Sequence, residues 1–243
     1  MRVDLDAAEE RRSSQNGEDG VIAAILRCVG APGRFFVEVG TEAGDECNCR
    51  ALAEQGWAGV FFEADEACAR ALAERWAHRP DVGTVRHLIA PATVQGDFRA
   101  AGVPSDLDVL SIDIDGADWY VWEALEHWAP RLVVIEYNGS LPLDATLVQP
   151  PTHDEPWDGT RYFGAALGAL EWLAGRKGYG LVHTEAAGVN AFFVRADLVA
   201  TADLPRGDTV RRRAANYFGT GEGHPPDPHD RPWVDVSRGS FRG

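Results

Sequence analysis

The chain has 243 residues, 45% apolar and 25% charged, enough for one α/β domain with a sizeable core. Its 38 acidic side chains outnumber 23 basic ones, and the formal charge of -15 argues against nucleic acid and anionic membrane surfaces as partners. No apolar run approaches the ~20 residues that span a bilayer, and the charged segment Met1 to Gln15 lacks the apolar core of a leader, so the expected setting is the cytoplasm.

Residues 16 to 30 place Val21, Ile22, Ala24, Ile25 and Leu26 at helical spacing, with acids before the helix and Gly30 after it. Residues 1–30 are expected to cap a main domain over 31–200. A first strand is predicted from Arg34 to Val39, and the turn Gly40-Thr41-Glu42-Ala43-Gly44 follows it. Next come a helix from Asn48 to Gln55, a strand from Val60 to Glu63 and a helix from Glu66 to Ala77. A weaker strand covers Val82 to Ile89, and a strong one runs from Leu107 to Asp113. Trp119 to His127 is predicted helical, and Leu132 to Tyr137 is another strong strand. Residues 139 to 160 hold four prolines and read as a long binding loop or lid. A helix over Phe163 to Arg176 then leads to two strands, Tyr179 to His183 and Asn190 to Arg195, which pair antiparallel. Residues 201–243 read as a tail or lid, poorly structured from Gly219 onward. The four cysteines Cys28, Cys47, Cys49 and Cys68 contain no Cys-x-x-Cys pair and read as ordinary thiols.

Alternating strands and helices, with strands that are apolar throughout, predict an α/β fold. The expected sheet is Rossmann-like, doubly wound and mostly parallel, with an antiparallel end hairpin. Ligands in such sheets bind beyond the carboxyl ends of the strands, where strand order reverses. Glu38, Glu63 and Asp113 close three strands on that rim, and Glu136 lies near the end of a fourth.

The pattern Glu38-x-Gly40-x-x-x-Gly44 differs from a dinucleotide's Gly-x-Gly-x-x-Gly, and the acids at 42 and 45 would repel a phosphate. S-adenosylmethionine, cationic at its sulfur and amine, fits better. Glu38 and Gly40 would then approach its methionine part, Gly44 would permit close backbone approach, and Asn48 would contact the amino-acid group or cap the next helix. Glu63 would accept from the ribose hydroxyls. Ile89 and Ala90 would flank the adenine, or belong to the core. Asp113, with Asp115 and Asp118, forms a second acidic cluster, able to position the cofactor's ammonium or serve as a base. Asp115, Glu136 and Asn138 together could bind a hard divalent cation such as Mg2+. Glu136, Asn138, Trp157 and Tyr162 flank the expected acceptor position, with Trp172 nearby. His153 and His183 are the histidine candidates for a general base, against the plainer reading of surface or packing residues.

Several collinear motifs resemble the FkbM-type S-adenosylmethionine-dependent methyltransferases: Ser14-Gln15-Asn16-Gly17-Glu18-Asp19-Gly20, Phe36-Val37-Glu38-Val39-Gly40, Gly56-Trp57-Ala58-Gly59, Ser111-Ile112-Asp113-Ile114-Asp115-Gly116 and Val134-Ile135-Glu136-Tyr137-Asn138. Gly178-Tyr179-Gly180-Leu181-Val182 and Gly188-Val189-Asn190-Ala191-Phe192-Phe193-Val194-Arg195 extend the match to about residues 13 to 198. The resemblance implies a sheet of the class I methyltransferase type and cytoplasmic O-methylation of a small molecule, in secondary metabolism or on a glycan. It leaves a homodimer open. Two departures, Asp115-Gly116-Ala117-Asp118-Trp119 and Gly164-Ala165-Ala166-Leu167, remove polar side chains where the resemblance puts the acceptor. The alternatives are a non-methyl use of S-adenosylmethionine on the same fold, or a nucleoside-binding protein without catalysis.

Overall fold

The computed structural model describes residues 2–151 and 157–238. Its strands are β1 (Phe35–Val39), β2 (Ala58–Glu63), β3 (Val82–Arg86), β4 (Val109–Ile112), β5 (Leu132–Glu136), β6 (Leu147–Val148), β7 (Tyr179–Thr184), β8 (Asn190–Arg195) and β9 (Val234–Asp235). The α-helices are α1 (Glu18–Val29), α2 (Arg50–Glu54), α3 (Glu66–Trp76), α4 (Val94–Ala100), α5 (Asp118–Ala124), α6 (Leu167–Lys177) and α7 (Ala196–Val199). Seven strands form one sheet in the order β3-β2-β1-β4-β5-β8-β7. The first five are parallel; β8 runs antiparallel to β5, and β7 antiparallel to β8. Strand order reverses between β1 and β4, so a crevice opens above their carboxyl ends.

The unbroken apolar strands reflect helices on both faces. Val37, Val60, Phe62, Leu110 and Val133 pack with α4, α5 and α6, whereas Phe36, Phe61, Val109 and Val134 pack with α1, α2 and α3. Two-residue alternation along each strand delivers both sets. The N-terminal segment joins the second face through Leu5, Val21, Ile22 and Ile25.

Boundaries differ from expectation where a local group intervenes. β3 stops at Arg86, and Ile89 instead turns into the core. α4 had no strong periodic signal because only Val94 and Phe98 are buried, around an open Gly96. The late helix starts at Leu167 rather than Phe163. The tail is partly structured, which corrects the expectation from Gly219 onward. Val234 and Asp235 pair with Val148 and Leu147 of the proline-rich loop, and the Thr146 hydroxyl donates to Asp235 at 2.6 Å. Two residues per strand are too few for a period to show. Among the described residues, no helix is long and apolar enough to cross a membrane.

Candidate functional site

A cavity of about 680 Å³ occupies the crevice, within the usual range of ~300–1,000 Å³ for small-molecule sites. The ends of β1, β2, β4 and β5 form its floor, and the N-terminal and C-terminal segments close its sides.

Gly40 makes the floor possible. Its φ of +77° is left-handed, and a Cβ there would lie 1.7 Å from the backbone oxygen of Asp113. The ends of β1 and β4 therefore touch at a point where no other residue fits. Glu38, buried just before it, accepts from the backbone N–H of Asn48 at 2.7 Å and of Cys49 at 2.9 Å. Burial pushes its carboxyl up to about 7 despite those bonds. The Asn48 side chain donates to Ser111 Oγ at 3.0 Å, so Glu38 and Asn48 both tie the loop to the sheet. Glu63 does similar work at β2, accepting from Thr41 N–H at 3.0 Å and Asp65 N–H at 2.8 Å. Each carboxylate oxygen has a second lone pair, so these bonds leave Glu38 and Glu63 able to accept from a ligand.

Asp113, Asp115 and Glu136 bring three carboxylate oxygens within 4.8 Å of one another. Asp118 shapes the turn between them by accepting from Ile114 N–H at 2.9 Å and Gly116 N–H at 3.0 Å, while Asp115 takes a left-handed φ of +55°. Burial, reinforced by neighbouring acids, holds the carboxyls of Asp113 and Glu136 well above the ordinary range. Burial likewise pushes Asp118 up to about 6. Glu136 Oε2, Thr41 Oγ1 and Asn190 Oδ1 are buried without a hydrogen-bond partner among the described residues, and all three residues line the cavity. Buried polar atoms are normally satisfied, so these mark positions where a ligand's donors belong.

The motif Ser14 to Gly20 supplies one side wall. Asp19 accepts from the N–H groups of Ser13 and Ser14 at 2.7 and 2.8 Å, and Glu18 from that of Asn16 at 2.7 Å. Gln15 and Asn16 are thereby held over the cavity. The opposite wall is aromatic: Trp157, Phe163, Tyr217, Phe218 and His224.

Of the residues singled out from sequence, Glu38, Gly40, Asn48, Glu63, Ile89, Asp113, Asp115, Glu136 and Trp157 line the cavity. Gly44, Ala90, Asn138 and Tyr162 do not. A Cβ on Gly44 would meet Leu72 at 2.7 Å, so that glycine serves packing against α3. The Ala90 carbonyl accepts from Thr93 and Val94 N–H groups and starts α4. Asn138 donates to the carbonyls of Arg161 and Phe163 and accepts from Ser140 N–H, so its amide belongs to the loop and Asp113 takes its place beside Asp115 and Glu136. Tyr162 donates to the Pro232 carbonyl and carries Arg231 over its ring, which fastens the tail. His183 lies away from the cavity, with Glu9 at 3.0 Å. His153 lies outside the described residues. Gln15, Asn16 and Thr41 also line the cavity, the first two within the Ser14–Gly20 motif, without a charge or spacing in the sequence to single them out. Tyr217, Phe218 and His224 line it too, from a segment whose Gly and Pro content conceals any signal.

No protein-family model matches the chain, and a search of curated proteins finds no match either. Solved structures do resemble it. An O-methyltransferase from Bacillus cereus in complex with S-adenosylhomocysteine shares 17% identity over 77% of this chain and 83% of that one, with a TM-score of 0.50. A putative caffeoyl-CoA O-methyltransferase from Staphylococcus aureus shares 14% identity over 72% and 81%, also at 0.50. The chain has the class I methyltransferase fold. At such identities the likeness is one of architecture, consistent with the strand order above.

Proposed function

We propose that the chain binds S-adenosylmethionine in this cavity and catalyses methyl transfer to a hydroxyl of a small acceptor, in the cytoplasm and within secondary metabolism. The observation that carries this reading is the acidic rim: Asp113, Asp115 and Glu136 converge where the strand order reverses, beside buried acceptors that lack donors. A cationic ligand with several donors relieves both deficits at once.

In this reading Glu63 accepts from the ribose hydroxyls, and Ile89 forms one side of the adenine slot. Glu38, Gly40, Asn16 and Thr41 face the methionine part. The sulfonium supplies an already activated methyl group, so the protein's task is alignment of the acceptor oxygen with it. Asp113, Asp115 and Glu136 hold the positive charge in place. We assign the triad to that charge, although with Asp113 in place of Asn138 its three oxygens are also close enough together to hold a divalent metal ion. Added chelator is therefore expected to leave turnover intact, and a loss reversed by Mg2+ would reassign the triad.

The resemblance in the Ser14–Gly20, Glu38–Gly40 and Asp113–Gly116 motifs supports the same reading. Product analysis tests it. S-adenosylhomocysteine released together with a methylated acceptor is expected; methylthioadenosine would point to a different use of the same cofactor.

A further inference from the structure

Three large apolar side chains are exposed among the described residues: Leu88 at 60%, Trp157 at 38% and Phe218 at 64%. All three line the cavity. Leaving such surface wet forgoes roughly 25 cal/mol per Å², and exposed apolar side chains gathered around one cavity mark a ligand surface. Leu88 stands near the expected adenine. Trp157 and Phe218 stand across the mouth and belong to a cluster centred on His224. The imidazole centroid is 4.4 Å from Trp157, 4.8 Å from Tyr217, 5.7 Å from Phe163 and 6.0 Å from Phe218.

Four rings around one imidazole would be ordinary packing if the imidazole were sealed. It is not: His224 is only partly buried, lines the cavity, and has no hydrogen bond on either ring nitrogen among the described residues. The titratable groups facing it are Asp115 across the cavity, Tyr217 beside it, and Arg161 and Glu222 along the shallow groove behind it. Burial lowers its hold on a proton, and the Asp115 charge opposes that only in part. Burial thus favours the neutral ring, whose unprotonated nitrogen carries a lone pair for a proton.

We propose that this ring-lined wall is the acceptor subsite, that it takes a planar aromatic ring bearing a hydroxyl, and that His224 accepts the hydroxyl proton. The inference rests on the S-adenosylmethionine reading of the same cavity. In the reaction an oxygen lone pair forms the new bond to the methyl carbon, and the carbon–sulfur pair leaves on sulfur as a neutral thioether. The hydroxyl proton passes to His224 and then to water. Aromatic rings bind a flat acceptor edge-on or offset, and the imidazole sits among them within the cavity wall.

The test uses the full chain loaded with S-adenosylhomocysteine and 4-nitrocatechol as probe, whose ionisation is read from its absorbance at about pH 6.5. Saturable binding is expected, with a larger ionised fraction bound than free. Trp157→Ala should weaken binding by about tenfold, the scale of a lost aromatic contact. His224→Gln should still bind the probe but return its ionised fraction to that of the free molecule. Absence of saturable binding would overturn the subsite. Unchanged ionisation in His224→Gln, or loss of probe binding with S-adenosylhomocysteine affinity intact, would overturn the base and leave a packing role. Failure of S-adenosylhomocysteine itself to bind would instead remove the cofactor reading beneath.

Discussion

Glu63 shows how one carboxylate can serve both fold and ligand. Its two oxygens accept from Thr41 and Asp65 N–H groups, which positions the loops after β1 and β2 before any ligand arrives. Glu63 also lines the cavity, and each oxygen keeps a second lone pair. Glu63→Gln keeps one acceptor oxygen and removes the charge, but its amide NH2 then opposes one of the two backbone N–H groups, so one loop bond is lost along with the charge. We expect the substitution to weaken S-adenosylmethionine binding by about 1.5–3 kcal/mol, the scale of a hydrogen bond to a charged group, with a smaller fall in melting temperature from the lost loop bond. Calorimetry checks the first and a thermal melt the second. An unchanged affinity would place the ribose elsewhere. Asp65, by contrast, is spent on its helix: it accepts from Ala67 and Cys68 N–H groups as the cap of α3.

At the scale of elements, the close approach of the ends of β1 and β4 at Gly40 is the most constrained point in the site. Gly40→Ala would combine left-handed strain with a clash against the Asp113 backbone, which cannot give way like a side chain. We expect a loss of roughly 2–5 kcal/mol of stability, read from denaturant midpoints. A loss below about 1 kcal/mol would mean the two strand ends are not in contact as described. The mostly parallel sheet with its end hairpin is legible because β1, β2, β4 and β5 are continuous apolar runs closed by an acid or a turn, whereas the strand order is a property of the folded sheet alone. β6 and β9 are not legible, being two residues each and meaningful only in each other's presence. The same logic divides the site. Acids at strand ends announce themselves, because a strand fixes where its last residue points. Asn138 and Tyr162 misled because they stand in a loop, where neighbours in sequence give no direction. His224 was missed for the converse reason: only the folded tail brings it to the cavity.

For the molecule as a whole, buried acids set the response to pH. Burial pushes Glu38 and Glu185 up to about 7 and Asp118 up to about 6. A carboxyl with a folded value above its unfolded one keeps its proton more firmly when folded. Stability therefore falls as pH climbs from the unfolded value of about 4 to about 7. Carboxyls held low by arginines, such as Asp81 beside Arg79 and Asp227 beside Arg231, titrate below that window. We expect the ligand-free protein to melt at a higher temperature near about pH 5 than near about pH 8. Affinity for S-adenosylmethionine should move oppositely, because a cation favours the ionised rim. Parallel slopes for melting and affinity would contradict this. The formal charge of -15 adds self-repulsion in the same direction as the buried acids.

Titration calorimetry of the full chain with S-adenosylmethionine tests the central claim most directly, because a cation loosens the protons that burial holds on Asp113 and Glu136. Saturable binding at one site is predicted, accompanied by proton release that shows as a buffer-dependent heat. No binding, or binding that a dinucleotide such as NAD reproduces equally well, would contradict the account.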